Sequence, residues 1–242
     1  MSIIRLGGLS RRLGGRAVSL AALGRGKGKG GTPTLGLNTT FPNSQNPLQA
    51  PLSYGSQQAG LGAAGPLIVG GSPGYCCASA ADRTDQIGVY SGIVSNRHFS
   101  EVTIRRVGGY TPPGTHEIEI HVGMFLDGSH ATSYEFDIWF GGSQLQPIKW
   151  IDPLGSFDTG AITTLSSTWP GAIADGDVVR VEFDSTSGSP VMTVKLNGTT
   201  VGAYTDTGSG KILSGSPGFA FFADTGATPA SWCIKGFSCG TL

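Results

Sequence analysis

Two carboxylates and a tryptophan share one face of a predicted strand. In the stretch 134–140, Glu135, Asp137 and Trp139 occupy every second position. Alternate residues of a β-strand lie on the same face. Carboxylates placed in this way can exchange protons with a ligand or contribute to a cation site. What this strand can do therefore depends on what the neighbouring strand adds.

The preceding strand adds a second row of polar residues. Acidic residues and a histidine alternate with apolar residues over 116–122, and we centre the connection to the next strand on Gly128. The opposite pairs then predicted are His121 with Glu135, Glu119 with Asp137, and Glu117 with Trp139. This pairing predicts an acidic, aromatic patch. The alternative, which we expect more often, is an ordinary solvated face, because polar residues opposite an apolar row are the default in an antiparallel sheet.

Strand patterns also dominate the rest of the chain after residue 75. The predicted strands are 101–107, 117–125, 133–140, 147–151, 161–165, 178–184, 191–196, a strand resuming at 199, 218–223 and 232–237. Asn197-Gly198 supplies a tight hairpin turn. No segment shows helical periodicity over ten or more residues. This pattern indicates an all-β, antiparallel, two-sheet jelly-roll sandwich.

Alternation also predicts which residues form the core of this sandwich. The central hairpin, 178–196, carries apolar residues on one side of each strand and polar residues on the other. The residues predicted to be buried are Val179, Val181, Phe183, Met192, Val194, Leu196, Phe219 and Phe221.

The charge of the chain is divided unevenly. The formal net charge is zero, yet no Asp or Glu precedes Asp82, whereas seven basic residues do. Residues 1–74 are also rich in Gly and Pro, which disfavours a core of their own. We therefore predict an extended, basic anchoring arm over 1–74, ordered by contacts with other chains, and a sandwich over 75–242. The few basic residues of the arm are a weak nucleic-acid signal, so we expect no nucleic-acid partner.

The first thirty residues do not read as an export signal. Their apolar run, 17–23, is short and is followed by Arg25, Lys27 and Lys29 rather than by a small-residue cleavage site. No stretch has the roughly 20 apolar residues that a membrane-spanning helix needs. We expect a chain made in the host cytoplasm without a signal peptide or a membrane span.

Four segments of the sandwich stand in a recognisable order. They are Ile162–Trp169, Gly176–Val181, Val191–Gly198 and Gly218–Phe222. Their order resembles the concanavalin A-like lectin/glucanase superfamily, which includes legume lectins and laminin-G-like modules. The resemblance implies a jelly roll whose concave sheet or rim loops bind sugars, often with calcium.

The resemblance also bears on catalysis and on metals. Glucanases of this superfamily are similar at the Glu135 strand, where they carry Glu-x-Asp-x-Glu. In this chain, Trp139 occupies the position of the third acid. It therefore implies no catalytic residues and no enzyme. The implied sugar-binding residues are Trp139, Trp150, Trp169, Glu135, Asp137 and His121, with core packing as the alternative for Trp150 and Trp169. No cofactor is predicted; calcium stays open, although two acids on one strand supply too few of its six to eight oxygen ligands.

The four cysteines lie near the two ends of the predicted sandwich. They are Cys76, Cys77, Cys233 and Cys239. In the superfamily that the sequence resembles, the chain ends lie on neighbouring strands, which implies that one or two disulfide bridges could form between the pairs. A reduced, buried state is equally compatible with a chain kept in the cytosol.

These features together suggest a class of protein. An unexported chain with a basic arm and a sugar-binding fold suits a bacteriophage structural protein, such as a tail, collar or head fibre or a decoration protein. In it, residues 1–74 would contact other virion proteins, the chain would form a homo-oligomer, and the sandwich would bind host surface glycan for attachment. The alternatives are a jelly-roll capsid shell protein with an internal basic arm, and a glucanase-like glycan hydrolase.

Overall fold

The computed structural model describes residues 33–44, 50–56, 67–69, 74–78, 86–107, 116–127, 130–139, 144–151, 161–164, 173–223 and 232–242. The regular elements in these ranges are fifteen β-strands in two antiparallel sheets. Over the same ranges there is no helix long and apolar enough to cross a membrane. The predicted all-β sandwich is confirmed.

The eight-stranded sheet is built around a central pair of long strands. In spatial order it contains β13 (Thr199–Thr205), β12 (Val191–Leu196), β11 (Val178–Asp184), β6 (Arg97–Arg106), β15 (Trp232–Thr241), β4 (Tyr75–Cys77) and β3 (Leu67–Val69), and β1 (Thr34–Thr39) also pairs with β15. The turn between β12 and β13 has positive φ at Asn197 and Gly198, at 50° and 81°. The hairpin predicted from this dipeptide is confirmed.

The seven-stranded sheet positions the candidate site. Its spatial order is β10 (Ala161–Thr164), β9 (Gln144–Ile151), β8 (His130–Trp139), β7 (His116–Asp127), β14 (Ser216–Ala223), β5 (Gln86–Val89) and β2 (Ser53–Ser56). Strands β7 and β8 form its long central hairpin. Polar residues on these two strands therefore lie in the middle of the sheet rather than at an edge.

The core lies between the two sheets and follows the predicted alternation. On β11, Val179, Val181 and Phe183 are fully buried, while the residues between them are partly exposed. The remaining predicted core residues are also buried, except Leu196, which is only half-buried. The aromatic rings of the core pack closely, with Phe219 and Phe237 centroids 4.9 Å apart.

The predicted start of the sandwich at residue 75 is too late. Strands β1, β2 and β3 pair with β15, β5 and β4 of the same chain, and Phe41 and Leu52 are buried in the core. The segment before residue 75 therefore contributes to the sandwich itself, rather than being ordered only by other chains. The sequence concealed this because β1 is largely exposed and shows little alternation; it is held by backbone pairing. Residues 1–32 of the predicted arm lie outside the described residues.

A β-bulge in β7 fixes a buried histidine of the opposite sheet. Gly123, at φ 63°, lies in the bulge, and its N–H donates to Nε2 of His98 at 3.0 Å. Nδ1 of His98 lies 3.1 Å from the carbonyl oxygen of Ser95, to which it donates. One ring nitrogen therefore accepts and the other donates, which requires the neutral imidazole. Burial lowers the pKa of His98 to about 4, in agreement with that state.

Candidate functional site

The β7–β8 pairing brings the predicted polar residues together. The observed register places His121 opposite Glu135, Glu119 opposite Asp137, and Glu117 opposite Trp139. This is the register that centring the connection on Gly128 predicts, so that prediction is confirmed. We call the sheet face that carries Glu119, His121, Ser133, Glu135 and Asp137 the polar face.

The polar face is buried, and the expectation of an ordinary solvated face is wrong. Glu119 is 3% exposed, His121 0%, and Glu135 and Asp137 5% each. On the other face of the same two strands, isoleucines, valine and aromatic residues form the core. Burying ionisable groups is costly unless they are hydrogen-bonded or paired with charge. A merely packed sheet face would be expected to carry apolar residues here, so this polar set calls for a specific role.

Four of these side chains form a continuous hydrogen-bonded chain, which we call the carboxylate–histidine cluster. Nε2 of His121 lies 2.9 Å from Oε2 of Glu119. On the other side of the ring, Nδ1 lies 2.9 Å from Oγ of Ser133. The Ser133 hydroxyl in turn lies 3.2 Å from Oε1 of Glu135. The imidazole is thus held between a carboxylate and a hydroxyl, with a second carboxylate beyond.

Counting protons shows what the carboxylate–histidine cluster has to contain. Its three contacts each need one proton, and a neutral imidazole and a hydroxyl supply two. Burial lowers the pKa of His121 to about 3, so the ring does not provide the third at neutral pH. One of the two carboxyl groups supplies the third proton when it is protonated, and a carboxyl group in such a pair can exchange its proton with a ligand.

The opposite face of the sheet holds a second polar group with a different composition. The hydroxyl of Tyr134 donates to Oδ2 of Asp206 at 2.7 Å, and Nζ of Lys149 lies 2.9 Å from the same oxygen. Nζ also donates to the carbonyl oxygen of Ser209 at 2.9 Å. Burial raises the pKa of Asp206, but the hydrogen bonds from Lys149 and Tyr134 outweigh it and the net pKa is lowered. We call Tyr134, Lys149 and Asp206 the lysine cluster.

The predicted aromatic sugar platform is only partly described. Trp139 and Trp150 occupy register positions opposite Glu117 and Ser133, so both positions adjoin the polar residues along the sheet. Their side chains, and all of Trp169, lie outside the described residues. The backbone register is therefore what links these tryptophans to the polar face.

Three of the four cysteines lie where β4 pairs with β15, and Cys239 lies further along β15, opposite Leu37 of β1. Cys77 lies directly opposite Cys233, and all four cysteines are buried and free. Cys76 and Cys239 belong to the main hydrophobic core. The hydrogen bond from Cys233 lowers the pKa of Cys77, while burial raises that of Cys76. The disulfide and the reduced state both stay open as predictions.

Sequence reasoning missed Ser133 and the whole of the lysine cluster. Ser133 precedes Glu135 by two residues, so alternation could have placed it on the polar face. Asp206 lies 57 residues from Lys149, and no sequence pattern links them. A cavity of about 200 Å³ was also missed; it lies where β1 meets β15 and is lined by Glu101, Lys235 and several hydroxyl groups.

Comparison with known proteins defines the fold. No family model and no curated protein matches the sequence. Among solved structures, the endo-1,3-beta-glucanase from Streptomyces sioyaensis is similar, with a TM-score of 0.53 and 10% identity over 87% of this chain and 96% of that chain. The fold is a concanavalin A-like jelly roll.

Two further solved structures are less similar. Peanut lectin covers 85% of this chain and 97% of its own, with 10% identity and a TM-score of 0.45. The Bacillus licheniformis beta-glucanase covers 88% and 99%, with 11% identity and a TM-score of 0.48. Identities this low describe the fold alone, and the activity has to be argued from the site.

Proposed function

We propose that this chain is a carbohydrate-binding structural protein of a bacteriophage particle, with the polar face as its glycan site. The observation that carries the binding part is the burial of Glu119, His121, Glu135 and Asp137 together on one sheet face. Carboxylates accept hydrogen bonds from hydroxyl groups, which are the dominant polar groups of a sugar. Clusters of buried ionisable side chains occur at functional sites more often than expected by chance.

The low exposure of the polar face limits what the ligand can contact. Each of the three acidic residues is only 3–5% exposed to solvent. We therefore expect one or two sugar hydroxyls to reach the cluster, rather than a long stretch of polysaccharide. Few contacts give weak binding at a single site. Display of many copies on one particle raises avidity through effective concentration, without any new contact.

The virion part of the proposal is supported by the uneven charge of the chain. Seven basic residues and no acidic residue precede Asp82. A basic, glycine-rich segment outside a folded domain is suited to contacts with other subunits. Mass spectrometry of purified phage particles from a host that carries this gene tests the assignment. If the protein is absent from those particles, the virion role is contradicted. The glycan site is then tested on its own.

Glycan binding is tested with one substitution on the polar face and one control substitution on the other sheet. The full chain, displayed multivalently, should bind host envelope polysaccharide or a β-glucan far more tightly than the monomer. Asp137→Asn should reduce that binding, because it removes an acceptor charge from the polar face. Asp184→Asn is the matched control, since Asp184 pairs with Arg97 at 2.9 Å on the other sheet. A multimer that ignores all of these glycans would leave a purely structural role, such as a capsid shell.

Glycan hydrolysis is a second candidate, because the structure brings the carboxylates of Glu119 and Glu135 close together. One carboxylate oxygen of Glu119 lies no more than 4.8 Å from one of Glu135. Retaining glycosidases also act through two neighbouring carboxyl groups. We propose binding without hydrolysis, since Trp139 takes the third acidic position. Release of reducing ends from β-glucans, lost in both Glu119→Gln and Glu135→Gln, would reverse that choice.

A further inference from the structure

Donor atoms from three side chains converge within the carboxylate–histidine cluster. One ligand atom each from Glu119, His121 and Glu135 lies within 4.8 Å of the other two. We propose that these three residues form a binding site for a divalent transition-metal ion, with Zn²⁺ as its best match. The site goes beyond glycan binding and does not depend on it.

The donor set selects the class of ion. One imidazole nitrogen and two carboxylate oxygens are ligands that Zn²⁺ takes in proteins, at about 2.0–2.2 Å. Calcium prefers six to eight oxygen ligands and does not favour imidazole, so the calcium left open by the sequence does not fit these three residues. Three protein ligands also leave at least one coordination position free for water or for a ligand hydroxyl.

The charges of the three ligands match a divalent ion. Two carboxylates and a neutral imidazole together carry two negative charges, which one divalent cation balances. A balanced set is far less costly to bury than two carboxylates alone. Both glutamates would bind the ion in the charged form, because a ligating carboxylate is deprotonated.

The strands hold the ligands in place before any ion arrives. Glu119 and His121 lie on β7 and Glu135 on β8, in a register fixed by the backbone ladder. Ser133 lies 2.9 Å from Nδ1 of His121, which leaves Nε2 facing Glu119. Metal-binding histidines characteristically have their second ring nitrogen fixed by such a hydrogen bond. Ser133 is therefore a positioning residue for this site.

The site is tested by direct metal binding to the full chain, without glycan. After chelator treatment, isothermal titration with ZnCl₂ should give one saturable site, and Glu119→Gln should weaken it by at least tenfold. CaCl₂ should bind at least a hundredfold more weakly than ZnCl₂. Glu182→Gln is the matched control, because Glu182 pairs with Lys195 on the other sheet; it should leave the affinity unchanged.

The buried thiols could also bind Zn²⁺, so a second variant is needed. The double variant Cys77→Ser/Cys233→Ser should retain the Zn²⁺ site. Binding that survives Glu119→Gln but disappears in the cysteine variant would overturn the proposal.

A measurement on the unaltered chain covers the case in which a variant does not fold. In nitrogen-15 spectra of the four histidines, Zn²⁺ should shift the resonances of one ring, that of His121, which is assigned by its buried environment. If Zn²⁺ shifts the resonances of none of the histidines, the proposal is overturned. Loss of metal binding with intact glycan binding, or the reverse, separates the failure of this site from the failure of the proposed function.

Discussion

Two buried polar clusters lie back to back on the seven-stranded sheet, and β8 contributes to both. Tyr134 belongs to the lysine cluster, while its neighbours Ser133 and Glu135 belong to the carboxylate–histidine cluster. Among its own members, the first has one carboxylate and one lysine. The second has two carboxylates and an imidazole that burial keeps neutral. Burial is therefore common to both clusters, and the two differ in the kinds of ionisable group that they contain.

The largest expected effect is the loss of the cation from the lysine cluster. Lys149→Met leaves Asp206 buried without its ion pair, and both residues are at most 4% exposed. We expect the free energy of unfolding to fall by about 3–5 kcal/mol in urea denaturation. Lys195→Met, which breaks a half-exposed pair with Glu182, should cost less than about 1 kcal/mol. Equal losses in the two variants would mean that charge balance does not distinguish the lysine cluster.

His98 shows the effect of burial without a neighbouring charged partner. It is as buried as His121, but both of its ring nitrogens are hydrogen-bonded to backbone groups. Its pKa is lowered to about 4, so the unfolded chain takes up the proton first as the pH falls. The stability that His98 contributes should be complete above about pH 6.5 and decline by about 3 kcal/mol towards pH 4. Denaturation at a series of pH values measures this, and His98→Gln should remove that share of the decline while leaving the share of His121, whose pKa burial lowers to about 3. An unchanged profile in the variant would assign the decline to other groups.

The smallest effects come from two hydroxyl groups one residue apart. Tyr134→Phe removes a donor to the ionised Asp206 and an acceptor for the N–H of Ile212, so we expect a loss of about 1.5–3 kcal/mol. Ser133→Ala removes a link between groups that can share protons, so we expect about 0.5–1.5 kcal/mol. Thermal unfolding of the two variants side by side tests the order. A larger loss for Ser133→Ala would show that the carboxylate–histidine cluster is primarily structural.

The sequence predicted the strands of this site because local rules determine them. Alternation and the position of Gly128 are sufficient to pair His121 with Glu135, as the structure has them. Alternation reports which residues share a face, but it does not report what covers that face. Alternation therefore could not predict that Glu119 and Asp137 are buried.

Long-range pairing explains the other omissions. Lys149 meets Asp206 only because β9 and the segment after β13 come together in the folded sandwich. Strand β1 is held mainly by backbone hydrogen bonds to β15, which any side-chain sequence can make. A charge pair distant in sequence and an exposed edge strand both leave no periodic signal.

The antiparallel pairing of β1 with β15 also has a mechanical consequence. Thr34 lies opposite Thr241, so tension applied through the residues before 33 enters the eight-stranded sheet at this corner. The polar face belongs to the other sheet and has no strand in that load path. Pulling on the N-terminal segment would therefore strain the β1–β15 ladder first and leave the hairpin of β7 and β8 at rest.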